Sequence, residues 1–131
     1  MNDHFIECRL WLADISFFDN EILFYLTILK RNIHLMQEGK LLVELERLYQ
    51  DLRKLHEHNN MLYISVLNQL SELELYGDIV SPSRHLQIES ELGDFRKEYR
   101  DFKKSIFDPL SASYMGFVNS DIDTSIYIHD R

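Results

Sequence analysis

Six histidines set among 22 acidic side chains are the residues of this 131-residue chain whose types and spacing invite chemistry. A helical bundle that holds two metal ions uses Glu-x-x-His on two helices, and that spacing occurs nowhere in the sequence. The zinc-protease signature H-E-x-x-H is absent as well. His56-Glu57-His58 has a different spacing, and on a helix its two imidazoles point about 200° apart, too far to share one ion. His85 and Glu89, and likewise His34 and Glu38, stand four residues apart. Each pair can supply half a metal site, or simply a surface contact worth a few tenths of a kcal/mol.

One constellation arises only on folding. If the chain folds back about Gly39, residue 39−n faces residue 39+n, and Glu21 comes level with His56 and His58. The same counting brings Phe18 to Asn59 and Asn60. A carboxylate beside an imidazole favours its charged form. The expected Glu21–His56 contact therefore reads either as a pH-sensitive or metal-binding layer or, more plainly, as a half-exposed hydrogen bond. Asn59 reads as a polar residue that sets helix register, as in coiled coils.

Other chemistry has no foothold. There is no G-x-S-x-G, no glycine-rich phosphate loop and one thiol, Cys8, which excludes an internal disulfide and a cysteine metal cage. Cys8 falls in phase with an apolar helical stripe, so a buried, unreactive thiol is expected. Arg96, Lys97, Arg100, Lys103 and Lys104 make one segment basic, but Glu98 and Asp101 interrupt it. The aromatics among them, Phe95, Tyr99 and Phe102, are at core spacing, so they are not free to stack on bases. With a net charge of −8, binding to nucleic acid or to an anionic membrane surface is not expected.

The elements that position these residues are helices. Glycine (4) and proline (2) are scarce, so turns must be few and elements long. Residues 10 to 29, LWLADISFFDNEILFYLTIL, contain fourteen apolar residues. Trp11, Ile15, Phe18, Ile22, Tyr25 and Leu29 recur at alternating steps of four and three, the spacing of a helix laid along a partner. Leu10, Phe17 and Phe24 recur every seven on another side of the same helix. Within residues 10–29 the longest uncharged run, Ile22 to Leu29, is 8 residues, against about 20 needed to span a membrane. With Asp3 and Glu7 where a signal peptide carries basic residues, a cytoplasmic location is expected.

The first helix is expected from Asn2 or Asp3 to about Glu38, stopped by Gly39. The second should run from Lys40 to Tyr76, with the polar run HEHNN at 56–60 as its weakest point. Ser81-Pro82 is a good start for the third, which should reach Asp108. Pro109 then either ends it, opening a short helix through Met115, or kinks a continuing one. These readings give an all-α fold: an elongated up-down-up antiparallel bundle of three long helices with a short C-terminal helical extension. Residues 1–118 form one domain and 119–131 a tail.

WLADISFFDNEILFYLTIL also resembles the first helix of small, uncharacterised bacterial helical-bundle proteins, which carry a W-L-x-acidic-hydrophobic-x-aromatic-aromatic-x-x-E-hydrophobic pattern. The likeness covers residues 11–29. It implies a bundle and carries no activity, cofactor or site residue. The function expected is therefore a non-enzymatic structural or protein-interaction module without cofactor. It should self-associate as a homodimer through Leu10, Phe17 and Phe24, with a further protein partner possible. The alternative is a metal- or ligand-binding bundle of ferritin-like or hemerythrin-like architecture. A tail carrying Ile122, Ile126 and Ile128, folded over that face, would remove the need for a dimer.

Overall fold

The structure is a computed structural model that describes the backbone of residues 3–124 and the side chains of residues 3–113. It is an all-α bundle of three helices: α1 (Asp3–Leu35), α2 (Lys40–Tyr76) and α3 (Pro82–Thr124). At 1.5 Å per residue they are ~50, ~55 and ~65 Å long. Among the described residues there is no strand, and no helix is long and apolar enough to cross a membrane.

The core is built from one stripe of each helix. From α1 come Cys8, Trp11, Ile15, Ile22 and Leu29. From α2 come Leu45, Leu48, Leu52, Leu55, Leu62, Val66 and Leu73, with Asn59 and Gln69 at the same spacing. From α3 come Ile88, Leu92, Phe95, Tyr99, Phe102 and Ile106. A fully buried leucine or isoleucine contributes about 1.5–3 kcal/mol, so these three rows of side chains outweigh any single polar contact in holding the helices together. α1 and α2 pack closely along their length. α1 and α3 are joined largely through bulky side chains, with the Phe18 ring 5.8 Å from Phe95 and 5.5 Å from Tyr99.

Contacts between α1 and α3 keep a nearly constant separation in sequence: Asp14 meets Arg96, Glu21 meets Tyr99 and Lys103, and Asn32 meets Ser113. That is the signature of parallel helices. Contacts between α1 and α2 keep a nearly constant sum instead, as in Asp19–His56 and Ile15–Asn59. Those helices are antiparallel.

The turns differ from expectation in one respect. α1 ends at Leu35, not near Glu38, where the Met36 N–H closes a last turn on the Ile33 carbonyl at 3.2 Å. Gly39 does not stop α1. With φ 119° it stands immediately before α2 and accepts the Val43 N–H through its own carbonyl, a backbone position that favours glycine. Gly77 closes α2 after Tyr76, the expected last residue, in the left-handed region with φ 78° and its N–H on the Leu73 carbonyl. Ser81 caps α3 through Oγ, which accepts the Arg84 N–H at 3.3 Å.

Two doubtful points resolve in favour of continuity. HEHNN does not break α2, because His56, His58 and Asn59 each have tertiary partners: Asp19, the Phe95 ring and the Ile15 carbonyl. Pro109 lies inside α3, so the short C-terminal extension is no separate element but the same helix carried on to Thr124. Beyond the proline, Leu110 packs on the core, and Ser113 donates from Oγ to Asn32 Oδ1 at 2.8 Å. These residues cover the end of the bundle near Ile33 and Met36. The side chains of Tyr114, Phe117, Val118 and Ile122 and all of residues 125–131, including Ile126 and Ile128, lie outside the described residues.

Candidate functional site

Burial divides α1 into two sides. Its inner stripe is sealed by α2 and α3. On its outer side Leu10, Phe17 and Phe24 are 61, 58 and 61 % exposed. Ile6 and Leu35 are exposed beside them, and Ile28 is half-buried. At 100° per residue these six side chains fall within a sector of about 40°, forming one apolar line ~44 Å long from Ile6 to Leu35. One flank is the row Ile6, Ala13, Asn20 and Thr27, uncharged and mostly small. The other begins with two carboxylates already engaged by α3. Asp14 accepts from Arg96 at 2.7 Å, and Glu21 from Lys103 at 2.9 Å and from the Tyr99 hydroxyl at 2.6 Å. Toward the other end, Ile28 and Leu35 open onto a groove between α1 and α3 whose far wall holds Phe107 and Leu110. Phe107 is itself exposed.

Two of the five basic residues of the 96–104 segment are thus accounted for by acidic residues of α1. Burial opposes charge on Glu21, yet the hydrogen bonds from Tyr99 and Lys103 outweigh it and hold the carboxyl below its ordinary range. Tyr99 is pushed well above the usual phenol range, first by burial and then by Glu21. Its hydroxyl is a fixed donor.

The expected Glu21–His56 contact does not form. His56 Nε2 lies 2.9 Å from Asp19 Oδ1 instead, and Glu21 turns to α3. The cause is the turn between α1 and α2. Because α1 ends at Leu35, the fold-back centre lies between residues 37 and 38, and every partner on α1 shifts by about three residues. The same shift puts Asn59 on Ile15, with Nδ2 donating to the carbonyl at 3.0 Å, and leaves Phe18 to pack on Phe95 and Tyr99. His34 and Glu38 do not share a helix, since α1 stops between them. His85 and Glu89 do share one but point apart: His85 is buried and Glu89 is exposed.

His85 meets groups from two other helices. Its Nε2 is 3.2 Å from Glu7 Oε1 on α1, and its Nδ1 contacts the buried amide of Gln69 on α2. The His4 ring centroid is 4.3 Å away and the Trp11 ring 4.8 Å away. His4, Glu7 and His85 each present a ligand atom, all within 4.8 Å of one another, and Asp78 Oδ1 is 3.7 Å from His4 Nδ1. Among the described residues this is the group able to hold a metal ion, and sequence reasoning missed it. A signal existed: His4 and Glu7 form H-x-x-E, the reverse of the spacing searched for, and share one face of the first turns of α1. Cys8 is buried as expected, its thiol pushed up chiefly by burial. It faces Gln69 Nε2 at 3.7 Å.

Compared with protein families, curated proteins and solved structures, the chain matches none.

Proposed function

We propose that this protein is a non-enzymatic protein-interaction module that pairs with a second copy of itself through the outer face of α1. The exposure of Leu10, Phe17 and Phe24 in one seven-residue row carries the reading. A monomer seldom leaves large apolar side chains lined up in water, and none of the three contributes to the core. The spacing favours a second copy over an unrelated partner. Extended in both directions, the row reads Asp3, Leu10, Phe17, Phe24, Arg31. It is symmetric in position about Phe17. In an antiparallel pair Phe17 meets its equivalent, Leu10 comes level with the partner's Phe24, and Asp3 with the partner's Arg31. Such self-complementarity is what an isologous two-fold interface requires. The flank of Ala13, Asn20 and Thr27 lets the two helices approach, and the charges of Asp14 and Glu21 are neutralised by α3.

Static light scattering on the full chain tests the reading. The wild type should run at twice the chain mass, and Phe17→Asp with Phe24→Asp should halve it without loss of helicity by circular dichroism. A wild type that stays monomeric at all accessible concentrations overturns the proposal. So does a monomer that aggregates once 119–131 are deleted, which would make the tail the cover of this face.

A further inference from the structure

We infer that the His4–Glu7–His85 corner is a binding site for a divalent first-row transition ion, best matched by Zn2+, at the end of the bundle where α1 and α3 begin. This goes beyond the pairing of α1 and uses none of its residues.

Geometry carries the inference. A tetrahedral ion bound at ~2.0–2.1 Å holds its donors about 3.4 Å apart. Glu7 Oε1 and His85 Nε2 are already 3.2 Å apart. The third donor, on His4, lies within 4.8 Å of both. His4 sits on the first turn of α1, where a small change of side-chain rotamer closes the remaining gap. His4 and Glu7 are partly exposed, at 37 and 39 % for their side chains, so an ion has a path in from solvent. A fourth position stays open to water or to Asp78.

The surroundings are those of a ligand held in place. A metal-binding imidazole is oriented by what its other nitrogen touches. His85 meets the Gln69 amide at Nδ1, and its Nε2 is directed at Glu7; to bind an ion, Nε2 must be the unprotonated nitrogen, with Nδ1–H donating to an acceptor. Gln69 is fully buried, and its Oε1 has no hydrogen-bond partner among the described residues. Turning that amide over sets the unpartnered Oε1 to accept from His85 Nδ1–H, the tautomer that leaves the Nε2 lone pair for an ion. The Trp11 ring packs on the other side of His85. Charge is balanced too. The N-terminal ends of α1 and α3 oppose a cation, but that effect fades within a turn. The carboxylates of Glu7 and Asp78 are direct neighbours.

The donor set selects the ion. Two imidazoles and one carboxylate suit Zn2+ and its first-row neighbours, whereas Ca2+ and Mg2+ want oxygen ligands. The soft donor nearby, Cys8, is fully buried against Gln69 and is not one of the three converging donors.

Chelator-stripped full-length protein, titrated with Zn2+ in competition with a chromophoric chelator, tests the site. One Zn2+ per chain is expected, with a melting temperature that rises on binding. Co2+ in place of Zn2+ should give the visible absorption of a low-coordinate imidazole site. His4→Ala and Glu7→Gln, both at partly exposed positions that spare the core, should each weaken Zn2+ binding about 100-fold or more, since even loss of a supporting group costs 10–100-fold. His34→Ala, on the exposed far end of α1, should leave it unchanged. Absence of stoichiometric binding by the wild type overturns the inference. So does binding that survives the paired His4→Ala and Glu7→Gln substitutions, which would place the ion elsewhere on the surface.

Discussion

Asn59 of α2 reaches across the core to donate from Nδ2 to the main-chain carbonyl of Ile15 on α1, at 3.0 Å. It is the only asparagine in the buried stripe of α2, and it pins the two longest apolar rows in one register. The cost is visible in the same side chain. Its Oδ1 is buried with no hydrogen-bond partner among the described residues. As a member of a helix, the Ile15 carbonyl keeps its own partner four residues on, so removing Asn59 orphans nothing. Asn59→Leu should therefore leave stability unchanged or raise it by about 1–2 kcal/mol, measured by urea unfolding. A loss above ~2 kcal/mol would show that Oδ1 is satisfied in solution.

Leu52 has no exposed surface and lies a third of the way along α2. Leu52→Ala should cost ~2–5 kcal/mol, the range for truncating a buried leucine. Phe18 lies on the expected stripe too, but it is only half-buried, at the seam with α3. Phe18→Ala should cost less than Leu52→Ala, despite removing more atoms. Urea midpoints for the two variants check the order.

Acid should loosen the α1–α3 seam. Glu21 is more acidic than its ordinary 4.5: burial opposes its charge, but Tyr99 and Lys103 more than offset this. A carboxylate depressed by folding adds stability that is complete above its unfolded pKa and is lost as pH falls through the folded value. The loss from this group should thus begin below about pH 4.5. Glu21→Gln should flatten the pH dependence of the unfolding free energy in that acid range. Tyr99→Phe removes one of the two donors and should shift the loss to higher pH. A pH series of urea melts that is superimposable for wild type and Glu21→Gln would show that the pair contributes nothing.

The architecture was legible because burial repeats. Stripes of period 3.5 survive any error in a turn, so the core residues, the three helices and the Gly77 and Ser81 ends could all be read directly. Pairing across helices was less legible, since it depends on where the turn is centred. Assigning Gly39 to the end of α1 instead of the entry to α2 moved the fold-back point by one and a half residues. That was enough to exchange Asp19 for Glu21 as the partner of His56. The His4–Glu7–His85 corner was harder still. Glu7 and His85 lie 78 residues apart across parallel helices, and Asp3, Glu7 and the residues between them also serve as an ordinary helix start.

Residues past Pro109 should matter to stability. α3 runs through the proline, and Leu110 and Ser113 lie over the α1 end, where Asn32 and Met36 meet Ser113 Oγ at 2.8 and 4.0 Å. Ending the chain after Asp108 should expose Ile33, Met36 and Leu41, which pack on the core from that end. The melting temperature should fall by several degrees. A truncated chain with an unchanged melting temperature would show that this end needs no cover.

The proposed pairing of α1 also predicts a charge pattern that separates antiparallel from parallel association. Asp3 and Arg31 are both exposed and lie fourteen residues either side of Phe17. In the antiparallel pair each Asp3 stands level with the partner's Arg31, twice by symmetry. Arg31→Glu then creates two like-charge meetings. At about 0.3–1 kcal/mol per exposed pair, the dimer should weaken roughly 3–30-fold, less at high salt. Adding Asp3→Lys restores opposite charges and should restore the affinity, a double-swap rescue read by analytical ultracentrifugation. In a parallel pair Arg31 would instead meet Arg31, so Arg31→Glu would exchange one repulsion for another, with little change and nothing for Asp3→Lys to rescue. Loss on the first substitution and recovery on the second is therefore specific to two copies of α1 running in opposite directions.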